Sequence, residues 1–266
     1  MFSREAISEN VKALGIPDGA TVLMHTSLRA IGAVEGGAEM LLDVLIEEIT
    51  SRGGLFCVPT HTWHNLGKPC ITLDMKRRET CLGTFPSIAL NHPRAVRTLN
   101  PTHSMVIFGD PLLVKDFIKD EADLLTPTSP KSVYGKLDRE DGYILLVGVG
   151  QNSNTYLHYA EELLGFPDRV DSLPTRVSVR TENGEVRESE LYLFDESVHG
   201  DVSKKFYRYE PAFRAAGAIK DGVIGNAKVM LCRATTMRKV LGRLKDRAPS
   251  GDPLLYEGDL SELYPR

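Results

Sequence analysis

Short apolar runs alternate along this chain with polar loops and longer amphipathic stretches. Ala20 to Met24 form a β-rich apolar run, followed by a polar loop. Gly36-Gly37 then precede Ala38 to Ile46, whose apolar residues recur at helical spacing. After Gly53-Gly54, Leu55-Phe56-Cys57-Val58 reads as a second buried strand, stopped by Pro59 and followed by a polar, aromatic loop through Lys68-Pro69. The first third is therefore expected to be a β-α-β unit. Such a unit crosses over right-handed and leaves both strand C-termini on one sheet edge, where ligand-binding loops gather.

Further strands are predicted at Met105 to Phe108 and Tyr143 to Val149. A hairpin is predicted to pair Arg176 to Arg180 with Glu185 to Arg187 across Glu182-Asn183-Gly184. Helices are predicted over Thr155 to Leu164, Phe206 to Ala215 and Thr235 to Leu244, with a polar tail around Pro249 to Pro253.

Composition narrows the class. The 266 residues are 42% hydrophobic and 26% charged with a net charge of -4, the profile of a water-soluble globular chain, and one domain over residues 1–266 is favoured. Cys57, Cys70, Cys81 and Cys232 show no paired spacing, which fits a reducing compartment and a cytoplasmic location. No apolar run approaches the ~20 residues that span a bilayer, and the N-terminus lacks a signal-type apolar segment. No basic stripe suits nucleic acid; Lys76-Arg77-Arg78 reads either as a solvated loop or as a clamp for a small phosphorylated ligand.

Three polar clusters each follow an apolar run: His25-Thr26-Ser27-Leu28, Thr60-His61-Thr62-Trp63-His64, and Asn152-Ser153-Asn154-Thr155 leading to His158. Glu161 and Glu162 lie three and four positions after His158, where a helix sets side chains next to one another. A carboxylate there would orient the ring and stabilise imidazolium, as a general base requires; the same spacing also describes a plain surface His-Glu pair. His103 suits either ligand contact or a turn, and His199 a structural role. Cys57, His61, His64 and Cys70 match no standard zinc spacing, so no metal is expected. Nucleophile-elbow, Walker and Rossmann signatures are missing, and Gly148-x-Gly150 has no third glycine at the right distance.

The order of several segments resembles the aminoglycoside 3-N-acetyltransferase family. They are Val22 to Leu28 with Gly32 and Gly36-Gly37-Ala38, Val58 to Trp63, Arg97 to Ser104, Ser129-Pro130 with Tyr134 to Leu137, and Leu145 to Val149 leading to Asn154 to Glu162. The resemblance implies an α/β fold of three α/β/α layers, with a central mixed, mostly parallel sheet and a small β-hairpin addition. It implies acetyl transfer from acetyl-CoA to an amine of an amino sugar, hence antibiotic resistance. His158 matches the histidine of the family's Thr-x-x-His-x-x-Glu pattern. His25, Thr26, Ser27 and Leu28 match its cofactor loop, with Ser104 and Ser129 as further positions around that cleft. His61, Trp63, His103 and Glu162 are then expected on the acceptor side. Asn100 stands where members usually show His, Thr98 where Ser is common, and Thr126-Pro127-Thr128 in place of an acidic, glycine-rich approach to Ser129. These departures bring the chain nearer the family's uncharacterised members than its resistance enzymes, because a polycationic acceptor needs a carboxylate-lined pocket.

The mechanism this implies is direct transfer without an acyl-enzyme. His158 takes the amine proton, Glu161 orients it, and a donor from the Thr26-Ser27 or Thr60 loops meets the developing oxyanion. Two alternatives stay open: a serine-type thioester or amide hydrolase using Ser27 or Ser153 with His158, and a CoA-binding protein without turnover. The partners expected are a small-molecule amine and, in a homodimer, a second copy of the chain; neither nucleic acid nor membrane is expected.

Overall fold

Residues alternate between two apolar faces along each strand, and that alternation builds the sheet. In the structure, a computed structural model describing residues 1–121 and 124–264, ten strands form. They are β1 Thr21–Thr26, β2 Leu55–Pro59, β3 Ile71–Asp74, β4 Val96–Arg97, β5 Met105–Phe108, β6 Tyr143–Val147, β7 Thr175–Arg180, β8 Val186–Leu191, β9 Ile219–Ile224 and β10 Ala227–Arg233. The α-helices are α1 Arg4–Ala13, α2 Leu28–Ile31, α3 Gly37–Thr50, α4 Thr84–Asn91, α5 Pro111–Ile118, α6 Val133–Arg139, α7 Tyr156–Leu163, α8 Glu210–Ala215 and α9 Ala234–Arg247.

Seven strands form one sheet in the order β4-β5-β2-β1-β6-β10-β9. β1 pairs in parallel with β2 and β6, and the other pairings are antiparallel, so five strands share one direction and β5 and β10 oppose them. Register places Leu23 beside Cys57 and Ile144 on one face, and Val22 beside Phe56 on the other. The first face packs against α5 through α9, the second against α1, α3 and α4, which gives three α/β/α layers.

The hairpin β7-β8 forms as expected and gains β3 as a parallel partner of β7. β3 lies just beyond the loop expected through Lys68-Pro69 and was not anticipated. It offers only two inward apolar residues, Ile71 and Leu73, and they acquire a buried side only against Val177 and Val179. Three further expectations change. Residues 206–215 divide into the end of a 3-10 segment, Val202–Tyr209, and α8, with Pro211 at the start of the latter. The hairpin β9-β10, not anticipated, closes the sheet beyond β6. The tail around Pro249 to Pro253 is no solvated linker, since Asp252 is buried.

Two glycines of the quoted segments are explained by close approach. A Cβ on Gly135 would lie 2.1 Å from the Pro130 carbonyl oxygen, and one on Gly148 would lie 2.2 Å from the Ala30 Cβ. The second seats α2 over the end of β6, where the C-termini of β1, β2 and β6 emerge side by side. Among the described residues, no helix is long and apolar enough to cross a membrane.

Helix α7 is anchored from below by Asp138 on α6. The Asp138 carboxylate accepts hydrogen bonds from Tyr156 Oη at 2.6 Å, Tyr159 Oη at 3.2 Å and Arg238 Nε at 2.8 Å, tying α6, α7 and α9 together. Replacing Asp138 with Ala removes this partner from Tyr159 Oη and Arg238, while Tyr156 Oη keeps the Ala234 carbonyl at 2.8 Å, and urea unfolding should show a loss of about 1–3 kcal/mol.

Candidate active site

At the edge where the parallel strands end lies a cavity of about 780 Å³. β1 supplies Met24, His25 and Thr26; β2 and the turn after it supply Val58, Pro59, His61 and Trp63. Phe85 and Pro86 come from α4, His103 from the turn before β5, Asn152 to Thr155 and His158 from the segment after β6. The opposite wall comes from Arg169, Asp171, residues 193–196 and residues 200–203. All three polar clusters thus reach one cavity, as the sheet topology requires.

His158 stands on α7 in the cavity wall. One ring face stacks on Phe194 at 4.3 Å and 16°, and Phe206 meets the ring edge-on at 4.9 Å. Among the described residues, no side chain hydrogen-bonds its ring nitrogens, so proton exchange is open to whatever fills the cavity. Burial depresses its pKa to about 4, offset in part by the charge of Asp201 and reinforced by Arg169. The ring is neutral near pH 7, the form that accepts a proton.

Glu161 does not orient this ring. It is wholly buried, accepting from Arg169 Nε at 2.6 Å and Tyr209 Oη at 2.5 Å, while Arg169 Nη2 donates to Asp252 at 2.8 Å. Helical spacing placed Glu161 near His158 along the chain but could not reveal that the α7 side carrying Glu161 faces Arg169. Asp201, on the cavity, is the carboxylate whose charge His158 feels. Glu162 is likewise not on the cavity wall: it accepts from Thr126 Oγ1 at 2.7 Å and Thr128 Oγ1 at 3.1 Å.

Several other expected positions move off the wall. Thr60 is buried, and its hydroxyl is shared between the Ser104 carbonyl and the Ser104 hydroxyl, both at 3.2 Å. Ser104 in turn donates to the Thr60 carbonyl and accepts from Arg97 Nε. This lattice joins β2 to β5 and leaves neither hydroxyl for an oxyanion or a cosubstrate. Ser129 is buried outside the cavity, and Ser27 and Leu28 begin α2 beside it without lining it. Of the two candidate nucleophiles, Ser153 reaches the cavity and Ser27 does not.

His25, Thr26, His61, Trp63 and His103 stay on the wall. Trp63 Nε1 donates to His103 Nε2 at 3.1 Å, so His103 carries its proton on Nδ1 and donates it to Thr102 Oγ1 at 2.9 Å. Asn100 secures this turn by accepting from the His103 N–H at 2.8 Å and donating to the Pro127 carbonyl at 2.7 Å. His64 lies in a separate cavity of about 410 Å³ with Arg77, Asp74 and Glu79, and Cys57 is packed in β2. Among the described residues, no group of three or more His, Cys, Asp and Glu side chains is placed to hold a metal ion. Lys76-Arg77-Arg78 is exposed, with Arg78 donating to the Leu90 carbonyl and pairing with Glu182. His199 pairs with Asp168 at 3.4 Å, off the cavity.

Sequence reading missed the second wall. Asp171, Asp195, Glu196 and Asp201 all line it. Asp171 N–H donates to the Leu193 carbonyl and Asp195 N–H to the Arg169 carbonyl, so two extended segments present carboxylates together. The pKa of Asp171 is raised, first by burial and then by the charge of Asp195. The only signal in the sequence was a scatter of acids in a polar stretch.

A three-layer α/β fold with an imidazole and an acidic wall at the parallel strand ends suits an acyl-transfer enzyme for cationic substrates. The family description for aminoglycoside 3-N-acetyltransferase matches residues 23–244, and the chain belongs to that family of acyltransferases. It is 26% identical over 253 residues, 88% of each chain, to the SPbeta prophage-derived aminoglycoside N(3')-acetyltransferase-like protein YokD of Bacillus subtilis (strain 168). The crystal structure of YokD superposes with a TM-score of 0.79 at 22% identity, covering 94% of this chain and 96% of that one. Aminoglycoside N(3)-acetyltransferase VII of Streptomyces paromomycinus is 27% identical, over 94% of this chain and 95% of its own. AAC-IIIb, solved as a binary complex with CoASH, superposes with a TM-score of 0.75 at 21% identity, over 90% and 94%.

Two outcomes are expected of the site as a folded unit. Burial lowers His25 and His158 to about 4 and His103 to about 3, so the unfolded chain, with histidine near 6.5, takes up protons first as pH falls. Stability is therefore full above pH 6.5 and lost progressively toward pH 4; a melting temperature equal at pH 7 and pH 5 would contradict this. Arg169→Met strands two buried carboxylates and should cost about 3–5 kcal/mol in chemical denaturation.

Proposed function

We propose that the protein transfers an acetyl group from acetyl-CoA directly to an amine of an amino sugar or aminoglycoside-like acceptor, with His158 as general base. One observation carries this reading. His158 is held by aromatic contacts, yet its nitrogens are left to the cavity. A protonated amine cannot attack a thioester, so the acceptor enters the step as the free amine and its nitrogen sheds a further proton as the C–N bond forms, and a neutral imidazole in the wall is the group to take it.

Acetyl-CoA supplies the acetyl group activated as a thioester. The residues present suit it: His25 Nε2 and Thr26 Oγ1 at the end of β1 are buried without protein partners, and both residues line the cavity. Polar atoms in that condition favour an arm carrying amide groups. Asp171, Asp195, Glu196 and Asp201 favour a cationic acceptor and concentrate it near the base. Asp201 also stabilises the imidazolium that forms, the role expected earlier of Glu161. We read the chain as one acetyltransferase domain working in the cytoplasm, in keeping with its four unpaired cysteines.

The test is CoA release with acetyl-CoA across a panel of amino sugars and aminoglycosides. His158→Ala should lower kcat by about 10²-fold or more, and turnover should stop when the amine is omitted. Activity of the variant within about threefold of the parent removes the base assignment, and amine-independent thioester cleavage favours a hydrolase instead.

A further inference from the structure

We infer that His61 is a second catalytic side chain, donating a hydrogen bond from Nδ1–H to the acyl oxygen as charge builds there, with Tyr134 holding the ring in that tautomer. The inference rests on the acetyl-transfer reading above and assigns its missing electrophile.

His61 follows β2 by two residues, is 1% exposed and lines the cavity. Its Nε2 lies 3.1 Å from the Tyr134 hydroxyl. In the tautomer we infer, Tyr134, the more acidic donor, donates and Nε2 accepts, while the Thr155 side chain meets the phenol oxygen as a second partner. The ring proton then sits on Nδ1, a buried atom with no protein partner. Leaving such a donor unpaired is unfavourable, a cost a ligand oxygen would remove.

The charge state suits a donor rather than a base. Burial, and then the nearby His103, His25 and His158, hold the pKa of His61 well below that of free imidazole. A ring kept neutral in this way polarises a carbonyl without becoming imidazolium. It is also rigid: its centroid lies 4.6 Å from that of His103 and 4.9 Å from that of Trp63, and the Trp63–His103–Thr102 hydrogen bonds fix both neighbours. A preorganised donor of this kind needs no reorganisation during the reaction. His103 meets Phe194, which stacks on His158, so base and donor share one aromatic wall. The role expected of Thr60 passes one residue along, because the Thr60 hydroxyl is consumed by Ser104.

In the step concerned, the amine lone pair forms the C–N bond while the carbonyl π pair moves onto oxygen. His61 holds that oxygen, and His158 takes the proton from nitrogen. The oxygen pair returns as the C–S bond breaks, and His158 gives its proton to the departing sulfur, so both imidazoles finish neutral.

The experiment uses acetyl-CoA, with gentamicin as the first acceptor probe and the amine panel behind it. His61→Leu should lower kcat about 10²–10³-fold, with acetyl-CoA affinity by calorimetry unchanged. His61→Asn, which keeps an N–H near the Nδ1 position, should recover a large part of that loss. Nitrogen-15 NMR of the histidine-labelled parent should show Nδ1 protonated and Nε2 bare, and Tyr134→Phe should mix the tautomers and lower kcat. Should the leucine variant fail to fold, the tautomer and Tyr134→Phe decide. An Nε2-protonated parent, or His61→Leu turning over like the parent, overturns the inference. With an active parent and a dead His158→Ala, such a result leaves the transfer reading standing. A parent that acetylates no amine in the panel sinks both.

Discussion

Helix α7 is enclosed by protein on nearly every side, and the rest of the site follows from how its polar groups are satisfied there. Tyr156 and Tyr159 donate to Asp138, Glu161 accepts from Arg169 and Tyr209, and Glu162 accepts from Thr126 and Thr128. A buried polar atom without a partner is costly, so each of these bonds also fixes the rotation and depth of the helix. His158 is the exception. Its ring is held by contact with Phe194 and Phe206 alone, and the helix is locked in the one orientation that turns this unbonded group toward the cavity.

The cavity divides into two electrostatic halves. On the strand side stand imidazoles that burial keeps neutral; on the side of Asp171, residues 193–196 and residues 200–203 stand carboxylates. The acidic half carries a negative field and the imidazole half carries no charge near pH 7. Burial sets the pKa of His158 near 4, and the charge of Asp201 works against that depression by favouring the protonated ring.

The sequence made the sheet legible where strands are long and buried on both faces. Leu55 to Val58 and Tyr143 to Val147 read directly, because both faces of the central strands are apolar. β3 and β9 did not, since one has two inward residues and the other interrupts its apolar positions with the consecutive Lys220-Asp221-Gly222. The convergence of three polar clusters was legible because parallel strands must end on one edge. Side-chain roles were not: Thr60, Ser104 and Ser129 lie within the right segments, yet one residue of offset separates a wall position from a buried one, as Thr60 and His61 show. The acidic wall escaped notice because it is assembled by pairing across Val170 and Phe194, more than twenty positions apart.

The departures at Thr98, Asn100 and Thr126-Pro127-Thr128 take on a different meaning against this geometry. Thr98 Oγ1 accepts from the Met105 N–H, Asn100 braces the His103 turn, and both threonines donate to Glu162. Carboxylates in place of those threonines would face Glu162 at hydrogen-bond distance, where two like charges cannot both stay ionised at low cost. Thr-Pro-Thr is therefore what this α7 requires, and of the three residues Pro127 alone reaches the cavity. Loss of acids there removes no carboxylate from the wall, because Asp171, Asp195, Glu196 and Asp201 provide the negative field from the other side. The negative charge of the cavity wall therefore stands on these four carboxylates, across the cavity from residues 126–128.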